Sequence, residues 1–315
     1  MKVSTSELLI ETTGYCNLSC KYCYTKHTPA ILPVERMISF IERYLNYVNL
    51  PCVRITFIGR GETTLYPHLS EIINYLSDKY GDSVSFYIQT NGILIGKVVE
   101  QLKRKDNLEI SISLDGFEEA NDANRGKGTF QKIIHSIKYL SNLGIPLNIQ
   151  TILCPENYAN AKQFQDYIHS ISNHITLEFF DILTREEVMN YEKETHILPP
   201  VSANDPAIIE MRNALISPEY DFIREAMTNQ DVYICVLCDG RVSTCCEFQY
   251  KIGTIDTEIA RLVSKLDLKL CNNCPVRTRC NSGREQDQLC YLSQNHRSNL
   301  TRQQIMKVNP RRAYK

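Results

Sequence analysis

From about residue 8 to residue 180, short apolar runs alternate with longer stretches whose apolar residues recur at helical spacing. Leu8-Leu9-Ile10-Glu11-Thr12-Thr13 reads as a first strand, with a cysteine-bearing loop at its C-terminal end. Pro33 to Val48 places Met37, Ile41, Tyr44, Leu45 and Val48 on one face, the pattern of an amphipathic helix. The same alternation predicts strands over Val53–Ile58, Val84–Thr90, Leu108–Leu114, Ile145–Leu153 and Ile175–Phe180. It predicts further helices over His68–Lys79, Ile95–Arg104, Phe130–Leu143 and Ala159–Ile171. The helix ending at Leu143 meets Gly144, which suits a left-handed cap. Six β/α units with nearly continuous apolar strands predict a parallel sheet covered by helices. An open doubly wound sheet and a partial barrel both fit. Each places its ligands beyond the C-terminal strand ends, where the cysteine loop sits.

Beyond this region the pattern changes. Residues 181 to 230 are mixed, carry Pro199-Pro200, and read as a connector with one or two helices. A cysteine-dense segment follows, and Arg297 to Lys315 holds six Lys or Arg with no acidic residue, the composition of a solvated tail. The expected division is 1–182, 183–230, 231–295 and 296–315. A chain of 315 residues that is 43% hydrophobic can bury a large core. A net charge of −1 gives no global reason to expect a nucleic-acid partner. There is no apolar run of 18 residues and no signal-peptide pattern after Met1, so a cytoplasmic protein with no membrane partner is expected.

Cysteine changes the picture. There are 13, and disulfides are disfavoured in a reducing compartment, so metal ligation is the economical explanation. Three lie in the first loop, eight between residues 235 and 290, and Cys52 and Cys154 are left over as expected buried cysteines. Cys16, Cys20 and Cys23 are spaced C-x3-C-x2-C. A structural zinc site takes four protein ligands, commonly as two close pairs. A 4Fe–4S cluster held by three thiolates keeps one iron free for a substrate or cofactor. A zinc knuckle or unrelated buried cysteines remain alternatives on spacing alone.

Four signatures follow predicted strands at the same rim. They are Gly59-Arg60-Gly61-Glu62-Thr63, Thr90-Asn91-Gly92, Ser113-Leu114-Asp115-Gly116, and Arg125-Gly126-Lys127-Gly128-Thr129-Phe130. A glycine lets a ligand approach the backbone, and a carboxylate can pair with an amine. With Tyr22 beside Cys23, the combination resembles radical S-adenosylmethionine (SAM) enzymes. It is similar in particular to the SPASM/twitch branch, which includes sulfatase maturases and enzymes that modify ribosomal peptides.

The resemblance implies a partial (β/α)6 barrel of the TIM type with a small cysteine-rich C-terminal domain. It implies a 4Fe–4S cluster on Cys16, Cys20 and Cys23, with SAM at the open iron. Gly61 and Glu62 would hold the methionine amine, and Ser113 and Arg125 would contact the carboxylate or ribose. Tyr22, Thr90, Asn91 and Asp115 belong to the same cofactor-binding set. The family usually has Gly-Gly-Glu-Pro at the second motif; Arg60 and Thr63 depart from it, and Arg60 is expected to crowd the SAM pocket. The implied chemistry is reductive SAM cleavage to a 5′-deoxyadenosyl radical that abstracts hydrogen from an unreactive C–H.

Toward the C-terminus, Cys235 and Cys238 precede Asp239-Gly240, and Cys245 and Cys246 follow, as in a hairpin with thiols on both arms. Cys271, Cys274, Cys280 and Cys290 complete a second group. Both groups are similar to the SPASM pattern for auxiliary clusters, so one or two auxiliary 4Fe–4S clusters are expected. One would use Cys271, Cys274, Cys280 and Cys290, and another Cys235, Cys238 and Cys245. A four-cysteine zinc site is the alternative for the former, and Arg284 stands where the family has a further cysteine. Cys246 is a candidate hydrogen-atom donor and Glu247 a candidate base.

The expected substrate is a residue of a ribosomally made peptide or protein, changed by epimerisation, crosslinking or oxidation. A small molecule such as a sugar or aminocyclitol is the second enzymatic reading. An iron–sulfur electron carrier is the non-enzymatic one. A flavodoxin- or ferredoxin-type protein is the implied electron donor. Peptide maturases often carry an N-terminal leader-binding domain; here Cys16 comes at once, so another surface or protein is expected to read a leader.

Overall fold

A computed structural model describes residues 3–23, 25, 27–181, 206–225, 232–243 and 251–265. Six parallel strands run in chain order, β1 (Val3–Ile10), β2 (Val53–Phe57), β3 (Val84–Thr90), β4 (Leu108–Ser113), β5 (Leu147–Leu153) and β6 (Thr176–Asp181). Each of the first five is followed by helical chain that returns over one face, a partial (β/α)6 barrel. The covering helices include α1 (Val34–Val48), α2 (Leu69–Tyr80), α3 (Ile95–Glu100), α4 (Glu118–Arg125), α5 (Thr129–Asn142) and α6 (Ala161–Ile171). Helix α1 forms because Met37, Phe40, Ile41 and Tyr44 share a buried face, and it ends where Asn49 turns left-handed at φ 43°. Helix α5 stops before Gly144, whose φ of 71° ends it as expected.

The expectation of nearly continuous apolar strands fails for β3, which alternates buried with half-buried residues along its length, and for β5, which is almost wholly buried but carries Asn148, Gln150 and Thr151. Ile55, Phe57, Phe86, Ile88, Ile110 and Ile112 pack with the helices in one core. Their neighbours on the other face are polar: Gln89 donates to Gln150 at 2.7 Å, Arg54 pairs with Glu109 at 3.0 Å, and Asn148 reaches the Tyr87 hydroxyl at 3.3 Å. A half-open barrel leaves this concave face lining a cavity, where side chains need hydrogen-bond partners instead of apolar neighbours.

Four further differences are local. Residues expected as a loop after β4 form α4, with Asn121 and Arg125 turned inward. Helix α3 is shorter than expected, and β1 ends at Ile10 instead of Thr13. Cys154 is buried as expected, but Cys52 is exposed because it lies in the turn before β2.

Within the connector, Pro206–Ala214 and Asp221–Glu225 are helical. Strand β7 (Val232–Val236) then adds to the free side of β1 in parallel, and the antiparallel β8 (Arg241–Ser243) and β9 (Lys251–Thr254) extend the same sheet to nine strands. The predicted hairpin turn at Asp239-Gly240 is present, with Gly240 at φ 82°. Among the described residues, no helix is long and apolar enough to cross a membrane.

Candidate functional site

The register of the three central strands sets the site. Ile10 lies beside Phe57 of β2 and beside Val236 of β7. The next residues of all three strands therefore emerge together at the C-terminal edge, and the cysteine loop leaves from the middle one.

The loop is closed on itself before it is packed. Thr13 and Ile31 form an antiparallel bridge, and Gly14 exchanges backbone bonds with Ala30 and Thr28. A side chain at Gly14 would collide with Thr28. From β2, Glu62 N–H donates to the Tyr15 carbonyl at 2.6 Å. A Cβ at Gly61 would fall 2.5 Å from the Tyr15 carbonyl oxygen and closer still to that of Thr13. The glycine thus admits the loop's own backbone.

Glu62 is buried, and its carboxylate joins the ends of β2 and β3. One oxygen accepts from Thr64 N–H at 3.0 Å and from the hydroxyls of Thr64 and Thr90 at 2.5 Å each. The other accepts from Asn91 N–H at 2.7 Å. A carboxylate has about four acceptor positions, two on each oxygen; three donors of the chain crowd Oε1, and Oε2, with one donor, keeps a position open. The Asn91 side chain reaches into the cysteine loop, donating to Asn17 at 2.8 Å.

A second buried hub closes the far side. Arg125 makes a two-pronged pair with Asp115, at 2.8 and 3.1 Å, and its guanidinium lies 5.6 Å from the Tyr22 ring centre. The Tyr22 hydroxyl donates to Asp115 at 2.5 Å. Burial opposes the Arg125 charge, but the Asp115 carboxylate overrides it and pushes the guanidinium pKa up. Tyr22 is pushed well up by burial, so it stays a donor. Together these residues hold the loop between Cys20 and Cys23 against β4.

Beside the second hub is a cavity of about 140 Å³ walled by Cys20, Cys23, Arg60, Ser113, Arg125 and the Gln89–Gln150 pair. A larger cleft of about 320 Å³ lies on the helix side between α4 and α6, walled by Phe117, Phe164 and Phe179, away from the thiols. Cys16, Cys20 and Cys23 are each half-buried. Burial raises Cys16, and it takes Cys20 up to about 11, with Asp115, Cys23 and Cys16 adding to the rise. Because burial disfavours the thiolates of Cys16 and Cys20, their ionisation is favoured by added positive charge, which a bound iron–sulfur cluster brings. Arg125 already acts in that direction on Cys16 and Cys20. Among the described residues, no group of three or more His, Cys, Asp or Glu closes round one metal ion.

One functional group escapes sequence reading. Glu11, the first residue past β1, is fully buried and takes Arg60 at 2.9 Å on each oxygen, with Arg60 N–H at 2.8 Å. It also accepts from Cys238 N–H, in the β7–β8 turn, at 3.1 Å. Arg60 therefore stands at the cavity wall with its guanidinium drawn to Glu11. The only signal in the sequence is an acidic residue at the end of an apolar strand. Cys235 and Cys238 are buried, and burial with Glu11 beside it pushes Cys238 up to about 12. Cys245, Cys246, Glu247, Cys271, Cys274, Cys280, Cys290 and the basic tail lie outside the described residues.

The model of the radical SAM superfamily matches residues 10–168. A serine-type anaerobic sulfatase-maturating enzyme of Bacteroides thetaiotaomicron is 27% identical over 219 residues, covering 65% of this chain and 51% of that protein. The mycofactocin maturase MftC of Mycolicibacterium smegmatis is 32% identical over 164 residues, 49% of this chain and 39% of that one. The chain thus spans about half the length, or less, of these curated relatives. Among solved structures, anSMEcpe with bound AdoMet and a peptide shares the fold at a TM-score of 0.68 and 20% identity, covering 98% of both chains.

Proposed function

Because the chain belongs to the radical SAM superfamily, we propose that it is a peptide-modifying enzyme of that superfamily, with a 4Fe–4S cluster on Cys16, Cys20 and Cys23. The observation that carries this reading is three half-buried thiols on one loop, with Cys20 and Cys23 walling a cavity that Arg60, Gln89, Ser113, Arg125 and Gln150 make polar. When bound and reduced, the cluster supplies the electron that splits SAM and so generates the radical that takes hydrogen from the substrate.

The chain's residues do the rest. Gly61 and Glu62 receive the methionine amine of SAM, the Glu62 carboxylate being fixed by Thr64, Thr90 and Asn91 with an acceptor position left on Oε2. Ser113 and the Gln89–Gln150 pair offer hydrogen bonds to the rest of SAM, and Asp115, Arg125 and Tyr22 keep the loop in place. Thr90 and Asn91 act through Glu62 and Asn17. Cys235 and Cys238 are assigned to an auxiliary cluster together with cysteines outside the described residues. A residue of a peptide or protein is the proposed substrate, in keeping with the relatives named as maturases, and a flavodoxin- or ferredoxin-type protein the proposed electron donor.

The test is anaerobic reconstitution followed by reduction with SAM present. 5′-Deoxyadenosine should form, and should vanish when Cys16, Cys20 and Cys23 are all changed to Ala. No product from iron-loaded wild-type chain would sink the reading and favour an electron carrier.

A further inference from the structure

Thr25 lies two residues past the last cysteine of the loop, and its hydroxyl sits between two acceptors. The Cys23 sulfur is 3.0 Å away, and the Arg60 carbonyl oxygen is 3.2 Å away. A hydroxyl carries one proton, so it satisfies one of the two at a time. With Cys23 as a free thiol, the S–H donates to Thr25 and the hydroxyl donates to Arg60. A metal-bound cysteine is a thiolate and has no proton to give. The 3.0 Å contact then survives as a hydrogen bond only if Thr25 turns its proton from the carbonyl to the sulfur.

The competing acceptor is held in place. The backbone N–H and guanidinium of Arg60 are both fixed on the buried Glu11 carboxylate, itself tied to Cys238 N–H. These bonds fix Arg60 at the end of β2. Cys16 also has a donor, Leu18 N–H at 3.4 Å, but that one is backbone and does not change with the side chain. His27 lies 3.9 Å from Cys23, a weaker contact than the hydroxyl.

We propose that Thr25 is a positioning residue that donates its hydroxyl proton to the Cys23 thiolate in the loaded enzyme and thereby raises the reduction potential of the cluster. Reduction places additional negative charge on the cluster and its sulfurs, so a donor stabilises the reduced form more than the oxidised one. This inference rests on the cluster assignment above and goes beyond it. It names a side chain of this chain that adjusts how readily the cluster accepts its electron.

The experiment is an EPR-monitored redox titration of the full chain, anaerobically reconstituted, with iron and sulfide counted for each variant. The chain with Cys16, Cys20 and Cys23 changed to Ala gives the signal of any other cluster, to be subtracted. Thr25→Val keeps the shape and removes the donor. It should load iron normally and shift the reduction equilibrium about tenfold toward the oxidised form, about 59 mV for one electron. Thr25→Ser should stay near wild type. If Thr25→Val loads poorly, Thr25→Ala serves in its place, and electron–nuclear double resonance in H2O and D2O should show, in reduced wild type and Thr25→Ser, an exchangeable proton coupled to the cluster that is missing from Thr25→Ala, the Leu18 N–H being common to all three. An unchanged potential in Thr25→Val or Thr25→Ala, at full iron content, overturns the inference while leaving the cluster assignment intact. Loss of no signal in the triple Ala variant overturns both.

Discussion

Arg60 and Glu11 show how one residue choice commits another. A fully buried carboxylate costs several kcal/mol to desolvate unless it is paired and hydrogen-bonded. Glu11 meets both conditions through Arg60 and Cys238 N–H. Arg60→Gly, which installs the residue more usual for the family, should therefore destabilise the fold by about 3 kcal/mol, because a buried charge is left without its partner. Adding Glu11→Gln should recover much of that loss, since an amide needs no counter-charge. Urea unfolding of the four chains of this double-mutant cycle is the measurement, and additive losses would rule out the coupling. The thiols set a second expectation. Cys20 rises from 9.0 to about 11 and Cys238 from 9.0 to about 12, both mainly through burial. The folded chain holds these protons more tightly than the unfolded one, so their contribution is complete below pH 9 and lost as pH rises through 11 to 12. Thermal melts of the iron-free chain should show the fall. The cysteines themselves were legible because their spacing is local. The partner of Arg60 was not, because Glu11 meets it across two strands.

At the scale of elements, the cysteine loop is held by what its neighbours lack as much as by what they carry. Gly61 has no Cβ, and two carbonyls of the loop occupy the space. Gly61→Ala should push the loop off β2, break the Glu62 N–H to Tyr15 bond, and cut iron incorporation sharply while helical content stays near normal. Iron analysis beside circular dichroism separates the two effects, and full iron loading would show that the loop tolerates displacement. The periodicities of α1, α2, α5 and α6 were plain in the sequence, since each is amphipathic over three or more turns. Helix α4 was hidden because its eight residues are mostly polar, and its buried polar members, Asn121, Asn124 and Arg125, are turned inward with Ala120 by hydrogen bonds that sequence periodicity does not register. The polar concave face was hidden for the opposite reason, as residues such as Tyr87 and Gln89 break an apolar run without betraying which face they occupy.

Across the whole molecule, β7 is as much part of the barrel sheet as β2, since β1 pairs with both. No sequence signal announces a parallel pairing between residues more than two hundred positions apart, and the hairpin reads as a separate unit until the register is seen. Its outer edge is clasped from the other side by α1. Arg43 donates to the carbonyls of Thr257, at 3.2 Å, and Ile255, while Ile255 N–H returns to Gly240 at 2.8 Å. Arg36 also pairs with Asp256, but both side chains are largely exposed, and such a pair contributes little. Arg43→Ala should therefore cost about 1–3 kcal/mol and loosen the hairpin, whereas Arg36→Ala should be nearly neutral. Amide hydrogen exchange distinguishes a local from a global effect. Faster exchange in 232–243 and 251–265, with β2 to β5 unchanged, would mark the hairpin as a unit held onto the barrel by α1. Equal acceleration everywhere would mean that hairpin and barrel unfold together. In either case the Cys238 N–H to Glu11 bond lies at the junction, so a loosened hairpin should also weaken the hold on Arg60 at the cavity wall.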